Sequence, residues 1–328
     1  MTKSLDQVDI VLNPDASHFA HILGWISKTE GWMFNVDDYT TWLETFKKYW
    51  LYVAIDKGTH EAVACLSMSF EHSASKKEDE DIYCLGLYYV CPEWRNSGIG
   101  SVLFDKMMAI GGHAHMPLHG DIRKTLLRRH VCHLRLNLTQ MLKMSPRYAT
   151  KYCFDKMPNY KHNFVSIPTE HIVVPELVSE YTIKEADVVA YDVGISHRSR
   201  AKYLHRFLNT GKCYTKVALN SAGKVVGLCC IRVVYPNDLC IGPFYADNKI
   251  VAESLLSAVL CSIPNIIKHK TLGSLYPAVN DEARSLFESI GGEHTKIQPF
   301  TQCAFLRKIF PTADDKVFGV MDCGSSIV

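Results

Sequence analysis

The sequence predicts an α/β protein of the α+β type: two tandem domains, each a mixed, mostly antiparallel sheet flanked by helices. Segments of strand-like alternation and segments of helical spacing follow one another in a fixed order. That order occurs twice: helices, hairpin, strand, turn, helix, strand, helix, strand. The length of 328 residues gives room for both copies at roughly 150 residues per domain.

In the first half, DASHFAHILGWISKTE (15–30) places apolar residues at helical spacing behind an Asp/Ser start. TTWLETFKK continues as helix after a loop. KYWLYVAID and EAVACLSMSF are β-rich runs about the turn DKGTHE and read as a hairpin. DIYCLGLYYV is a third strand, CPEWRNSGIG a loop and SVLFDKMMAI a helix. In the second half, ADVVAYDVGISHRSRAKYLHRFLNT is helical in part, and CYTKVALNSAGKVVGLCCIRVVY is a hairpin turning at Asn220–Gly223. LCIGPFYA, NKIVAESLLSAVLCSI, TLGSLYPAV, NDEARSLFESI and QCAFLRKIF follow as strand, helix, strand, helix and strand.

The hairpins align at an offset of 164 residues (Ala54 to Ala218). The late helices align at 134 (Ala149 to Ala283), so the first half carries extra sequence, part of it in 121–143. That segment holds six Lys/Arg against one Asp, with Leu127, Val131, Leu134 and Leu138 at helical spacing. It reads as a basic amphipathic helix for a membrane surface or acidic partner, or as an atypical insertion that packs locally. The expected domains are 1–170 and 178–328, joined through the proline-containing stretch 166–182.

Composition narrows the function classes. Lys and Arg total 36 against 34 Asp and Glu, a formal charge of +2, which does not favour whole-molecule nucleic-acid binding. No apolar run reaches the ~18 residues of a membrane span, and the first residues show no secretory h-region. The 12 cysteines are scattered without a CxxC pair, several within apolar runs, so reduced thiols in a cytoplasmic protein are expected. His113 and His115, expected on one strand face, and His119 lack a carboxylate or Cys at zinc spacing, so no metal is expected. Asp192, His197, Arg198 and Arg200 are charged helix residues that could bind an anionic acceptor, with a solvated face as the default reading.

The chemistry concentrates in Val90-Cys-Pro-Glu-Trp-Arg95-Asn-Ser-Gly98-Ile-Gly100-Ser101, between a strand and an amphipathic helix. Gly98 and Gly100 allow unusual backbone angles and close approach. The N–H groups from Arg95 to Ser101 would face an anion at the helix N-terminus, with Arg95 adding a charge-assisted contact. This is a pyrophosphate cradle without a Walker lysine, so NTP hydrolysis is not indicated.

Strand, V-x-P-x-x-R-x-x-G-x-G and helix together resemble the acyl-CoA-binding motif of the GNAT superfamily of N-acyltransferases. Asn280-Asp-Glu-Ala283-Arg-Ser-Leu286-Phe287-Glu-Ser-Ile-Gly291-Gly292 is similar to the late GNAT helix N-x-x-A-x-x-L-Y/F-x-x-x-G-F, departing at Gly292. Ser145–Phe154 is a shorter analogue in which Ala149 and Tyr152 fit and Cys153 takes the usual glycine place. The resemblance covers nearly the whole chain as two tandem GNAT-like domains. In the second, Ile241-Gly-Pro-Phe-Tyr-Ala-Asp247-Asn248 lacks R-x-x-G-x-G, Pro243 removes a donor and Asp247 opposes a phosphate.

The resemblance implies transfer of an acyl group, by default from acetyl-CoA or another acyl-CoA as co-substrate, to a small-molecule or protein amine. Tyr89, Val90, Cys91, Arg95, Asn96, Ser97, Gly98, Ile99, Gly100 and Ser101 are the expected CoA contacts, with an oxyanion donor among Tyr89–Cys91. Tyr152 takes the place of the tyrosine that protonates the leaving thiolate, or is a core aromatic; Glu30 and Tyr88 are base candidates. Neither a nucleic-acid nor a membrane partner is expected. The alternative is an inactive tandem GNAT that binds CoA as a sensor or scaffold.

Overall fold

The computed structural model describes residues 3–121, 161–175, 182–184, 187–310 and 312–328. Tyr152 and nearly all of the basic segment 121–143 lie outside the described residues. The chain divides into two compact units. Unit 1 holds residues 3–121 with Gln302–Phe310 and Cys323–Ile327; unit 2 holds 161–301, 312–322 and Val328.

Unit 1 begins with β1 (Val8–Leu12) and α1 (Ala16–Glu30). The Asp15 side chain caps α1 by accepting from the Ser17 amide at 2.9 Å, and Gly31 ends it in the left-handed region (φ 70°). Phe19, Ile22, Leu23 and Ile26 recur at three- and four-residue spacing, so one stripe of α1 is buried. It packs with α2 (Asp38–Thr45), where the Phe19 ring lies 5.5 Å from Tyr39 and 5.6 Å from Trp42.

The sheet of unit 1 runs β1, β2 (Lys48–Asp56), β3 (Ala62–Ser73), β4 (Ile82–Val90), β5 (Met116–Asp121), then the end of β13 (Lys296–Leu306). The first four pair antiparallel, whereas β4 and β5 pair parallel at Leu85↔Leu118 across α3 (Ile99–Gly111). His113 lies in the turn before β5 and His115 makes a single parallel bridge with Ile82, so the strand expected to carry both begins after them.

Unit 2 begins with β6 (Lys161–Pro168) and β7 (Thr182–Lys184). α4 (Val189–Ser196), the short β8 (Arg198–Ser199) and α5 (Ala201–Phe207) follow. Its sheet runs β6, β12 (Thr271–Pro277), β11 (Asp238–Ala246), β10 (Val225–Val234), β9 (Cys213–Leu219), β7, with β14 (Val317–Gly319) on β11. β11 and β12 pair parallel across α6 (Lys249–Ser262), as β4 and β5 do across α3. With α7 (Asp281–Gly291) there are seven α-helices among the described residues. Leu228, Cys229, Leu255, Leu256, Leu286 and Phe287 are buried in its core.

The duplication extends to a single irregularity. Cys65↔Tyr89 is followed by Ser67↔Gly86, so β4 carries one extra residue against β3. Cys229↔Phe244 is followed by Ile231↔Ile241, the same bulge on β11 against β10. Cys65 and Cys229 are 164 residues apart, the offset read from the hairpins. Leu87 (φ 46°) and Gly242 (φ 157°) hold equivalent places in the two bulges.

Three further features differ from the sequence reading. β6 lies upstream of the expected boundary at 170, yet pairs antiparallel with β12 in unit 2 from Thr271↔Pro168 to Pro277↔His162. The end of β13, expected in the second domain, belongs to unit 1. Asp192 and Arg200 are a buried pair rather than a solvated face: Nε donates to Oδ2 at 3.0 Å and an Nη to Oδ1 at 2.8 Å. A second Nη of Arg200 donates to the Val328 carbonyl at 2.6 Å, so the guanidinium's donors are used inside the unit.

Candidate active site

The sheet and α3 meet at the loop Cys91–Gly98. Beyond Leu85↔Leu118, β4 runs on for five residues, Gly86–Val90, and so forms a fork with β5. Alternation through the bulge places Ser67, Ser69, Gly86 and Tyr89 on one face and Met68, Leu85, Tyr88 and Val90 on the other. The second face carries α3 and the first carries the end of α1, because the Thr29 and Tyr89 hydroxyls are 3.1 Å apart.

The loop leaves β4 through Cys91, whose amide donates to the Val63 carbonyl at 2.9 Å. It makes a short 3-10 turn at Pro92–Trp94, anchored by the buried Trp94 ring. Asn96 (φ 70°) and Gly98 (φ 90°) then take left-handed angles that turn the chain into α3. Gly98, at the N-cap of α3, has no side chain to close the helix end, and the Ile99 amide of the first turn lies 3.5 Å from Ser97 Oγ. This is the geometry that receives a phosphate.

The two glycines do different work. Gly98 supplies the backbone angle, since a Cβ there would meet nothing closer than Leu5 at 3.5 Å. Gly100 supplies proximity, since a Cβ there would stand 2.5 Å from the Tyr88 hydroxyl and 3.3 Å from a Val90 methyl. Tyr88 therefore supports the first turn of α3 from below. Sequence placed it among the base candidates; its hydroxyl lies at the cradle, on the face away from α1.

Arg95, Glu30 and Tyr89 converge on the α1 face. Arg95 Nε donates to the Val90 carbonyl at 3.0 Å, and an Nη lies 3.8 Å from the Glu30 carboxylate. The guanidinium stands 6.0 Å from the centre of the Tyr89 ring. Glu30 is the buried last residue of α1. Burial raises the Tyr89 hydroxyl above its ordinary range and pushes the Cys91 thiol up to about 12, so both stay protonated near neutral pH. Sequence gave Tyr89 only a backbone role; its hydroxyl and Thr29 were missed because no local spacing links the end of a helix to a bulged strand.

In unit 2 the corresponding place is closed by the chain itself. Two residues, Asp247 and Asn248, join β11 to α6, against the eight from Cys91 to Gly98. The Asn248 side chain caps α6 by accepting from the Val251 amide at 3.0 Å. Asp247 accepts from Tyr191 at 3.2 Å and from Lys316 at 3.0 Å. The fork between β11 and β12 is filled by β14: Phe244↔Gly319 and Tyr245↔Val317 pair on one side, and Val320 donates to the Leu275 carbonyl at 2.7 Å on the other. Asn280 caps α7 through the Ala283 amide at 2.9 Å and donates to the Val317 carbonyl at 3.0 Å, so the Asn of the late-helix pattern is a structural group here. Phe287 is fully buried against Tyr276.

The two units together define a protein with the GNAT fold. Solved structures share this fold. A candidate acetyltransferase from Pyrococcus horikoshii superposes at TM-score 0.65 with 14% identity, covering 98% of this chain and 97% of that one. A tandem GNAT protein from the clavulanic acid biosynthesis pathway gives TM-score 0.58, 12% identity and 91% and 97% coverage. The N-myristoyltransferase of Saccharomyces cerevisiae gives 0.58, 8% identity and 99% and 90% coverage. The chain belongs to the family described as protein of unknown function DUF1248, whose model matches residues 5–195. It is 24% identical over 261 residues to uncharacterized protein F36G3.2 of Caenorhabditis elegans, covering 76% of this chain and 75% of that protein. No helix among the described residues is long and apolar enough to cross a membrane.

Proposed function

We propose that unit 1 is an acyl-CoA-dependent N-acyltransferase, with acetyl-CoA as donor and a small-molecule or protein amine as acceptor, acting in the cytoplasm. The observation that carries this reading is the N-terminus of α3 at Gly98, set beside a fork between parallel strands. The amides of Asn96, Gly98 and Gly100 and the Nη groups of Arg95 would hold the pyrophosphate, and the edge of β4 from Tyr89 to Cys91 would hold the thioester arm.

The amine attacks the thioester carbonyl, the C–N bond forms and the C–S bond breaks. A backbone N–H at the end of β4 steadies the oxyanion. Glu30 takes the amine proton, directly or through one water, and Arg95 is shared between Glu30 and the phosphates. Tyr152 is the proposed proton donor to the thiolate. Tyr89, held protonated and bonded to Thr29, lines the acceptor side. Unit 2, with its fork filled, completes the protein without a second donor site.

The test is turnover of acetyl-CoA over a panel of amines, with acylated product read by mass spectrometry. A Glu30→Gln variant should lose about 100-fold in kcat, with the KM for acetyl-CoA within about twofold. Unchanged kcat would remove Glu30 from the reaction. Acetyl-CoA binding without product from any amine would favour the sensor or scaffold reading.

A further inference from the structure

The segment Cys323–Ile327 belongs to unit 1 and crosses the start of the fork. Ser67 Oγ donates to the Gly324 carbonyl at 3.4 Å, and Ser69 Oγ donates to the Ser325 carbonyl. On the other strand of the fork, His119 Nε2 is 3.0 Å from the Ile327 carbonyl. Nδ1 of the same ring lies 3.4 Å from Cys303 Sγ. Gly86 and His119 are the first residues past Leu85↔Leu118, so the segment bridges β3, β4 and β5 where the last two part.

Its seat is tight. A Cβ at Gly86 would stand 1.8 Å from the Gly324 oxygen, so that carbonyl rests directly on the β4 backbone. Ser325 and Ser326 have no exposed surface, and Ile327 is buried. The Ser325 hydroxyl has no hydrogen-bond partner among the described residues. A buried hydroxyl without a partner is costly unless a bound group completes it. Unit 2 shows the contrasting case, where β14 fills the fork along β11. In unit 1 the segment stands only at the fork's inner end, and Leu87–Val90 run past it.

We propose that Cys323–Ile327 is the end wall of the acyl pocket and restricts the donor to short-chain acyl-CoA. This rests on the reading of unit 1 as the acyl-CoA site. A thioester at Tyr89 lies about 10 Å from Gly86 along β4, at about 3.3 Å per residue. An acetyl or short acyl group fits that span, and a long saturated chain runs into the Gly324 carbonyl. The wall is a specificity element and takes no part in bond making.

The experiment measures binding of acetyl-, hexanoyl- and dodecanoyl-CoA by calorimetry for the full chain and two variants. Gly86→Ala pushes the segment off β4. Ser67→Ala with Ser69→Ala removes two of its anchors at little change in volume and keeps the test valid if Gly86→Ala does not fold. The wild type should bind dodecanoyl-CoA at least about tenfold more weakly than acetyl-CoA, and the variants should narrow that gap by about fivefold or more. Equal affinity for all three donors in the wild type overturns the wall and leaves the acyl-CoA site standing. A gap that neither variant changes also overturns it. No binding of any donor overturns the site itself, and the wall with it.

Discussion

Gly100 shows how one missing carbon ties a fold to a cradle. Its neighbour is the Tyr88 hydroxyl, 2.5 Å from where a Cβ would stand. A Gly100→Ala variant must move either the ring or the first turn of α3. We expect it to weaken acetyl-CoA binding by about tenfold, and Tyr88→Phe in the same chain to restore most of the loss. Thermal denaturation of both variants separates a local shift from unfolding. Loss that Tyr88→Phe does not relieve would show that the turn is disturbed in another way. Gly98 calls for a different account: the cost of Gly98→Ala comes from its left-handed backbone, on the order of 1 kcal/mol.

The cradle is legible at this scale because its signal is local. Arg95, Gly98 and Gly100 lie within six residues of one another and each has a backbone reason to be what it is. The cluster of Thr29, Glu30, Tyr89 and Arg95 is less legible. Glu30 is singled out only through the resemblance, by its place before the loop that follows the first helix, and its partner Arg95 is 65 residues away, brought to 3.8 Å by the fold.

Among the elements, α3 and α6 make the informative pair. Both follow a bulged strand and lead to a parallel partner. α3 begins without a capping side chain, and α6 begins with Asn248 in its own first turn. An Asn248→Ala variant should lose about 1 kcal/mol of stability in denaturant titration and leave acetyl-CoA affinity unchanged. A drop in affinity would place a donor site in unit 2. The helices are readable from their period and the hairpins from β-rich runs about polar turns, signals that lie within each element's own span. The membership of β6 and the end of β13 is not. Both are short β-rich runs, and which sheet edge receives them depends on strands roughly 100 or more residues away. β14 and Cys323–Ile327 escaped for a related reason: they are short, and their hydrogen bonds are made to distant strands.

For the whole molecule, one plan appears twice and differs between the units at the strand–helix connection. The same bulge at the same offset marks the two units as copies of one plan. Unit 1 keeps an eight-residue loop between strand and helix, while unit 2 shortens it to two and lays β14 into the fork. The central claim is that one acyl-CoA binds per chain, at the N-terminus of α3. Calorimetric titration of the full chain with acetyl-CoA tests it most directly, beside an Arg95→Ala variant. The account predicts a stoichiometry of one and an affinity about tenfold weaker in Arg95→Ala. Two equivalent sites, no binding, or binding indifferent to Arg95 would contradict it.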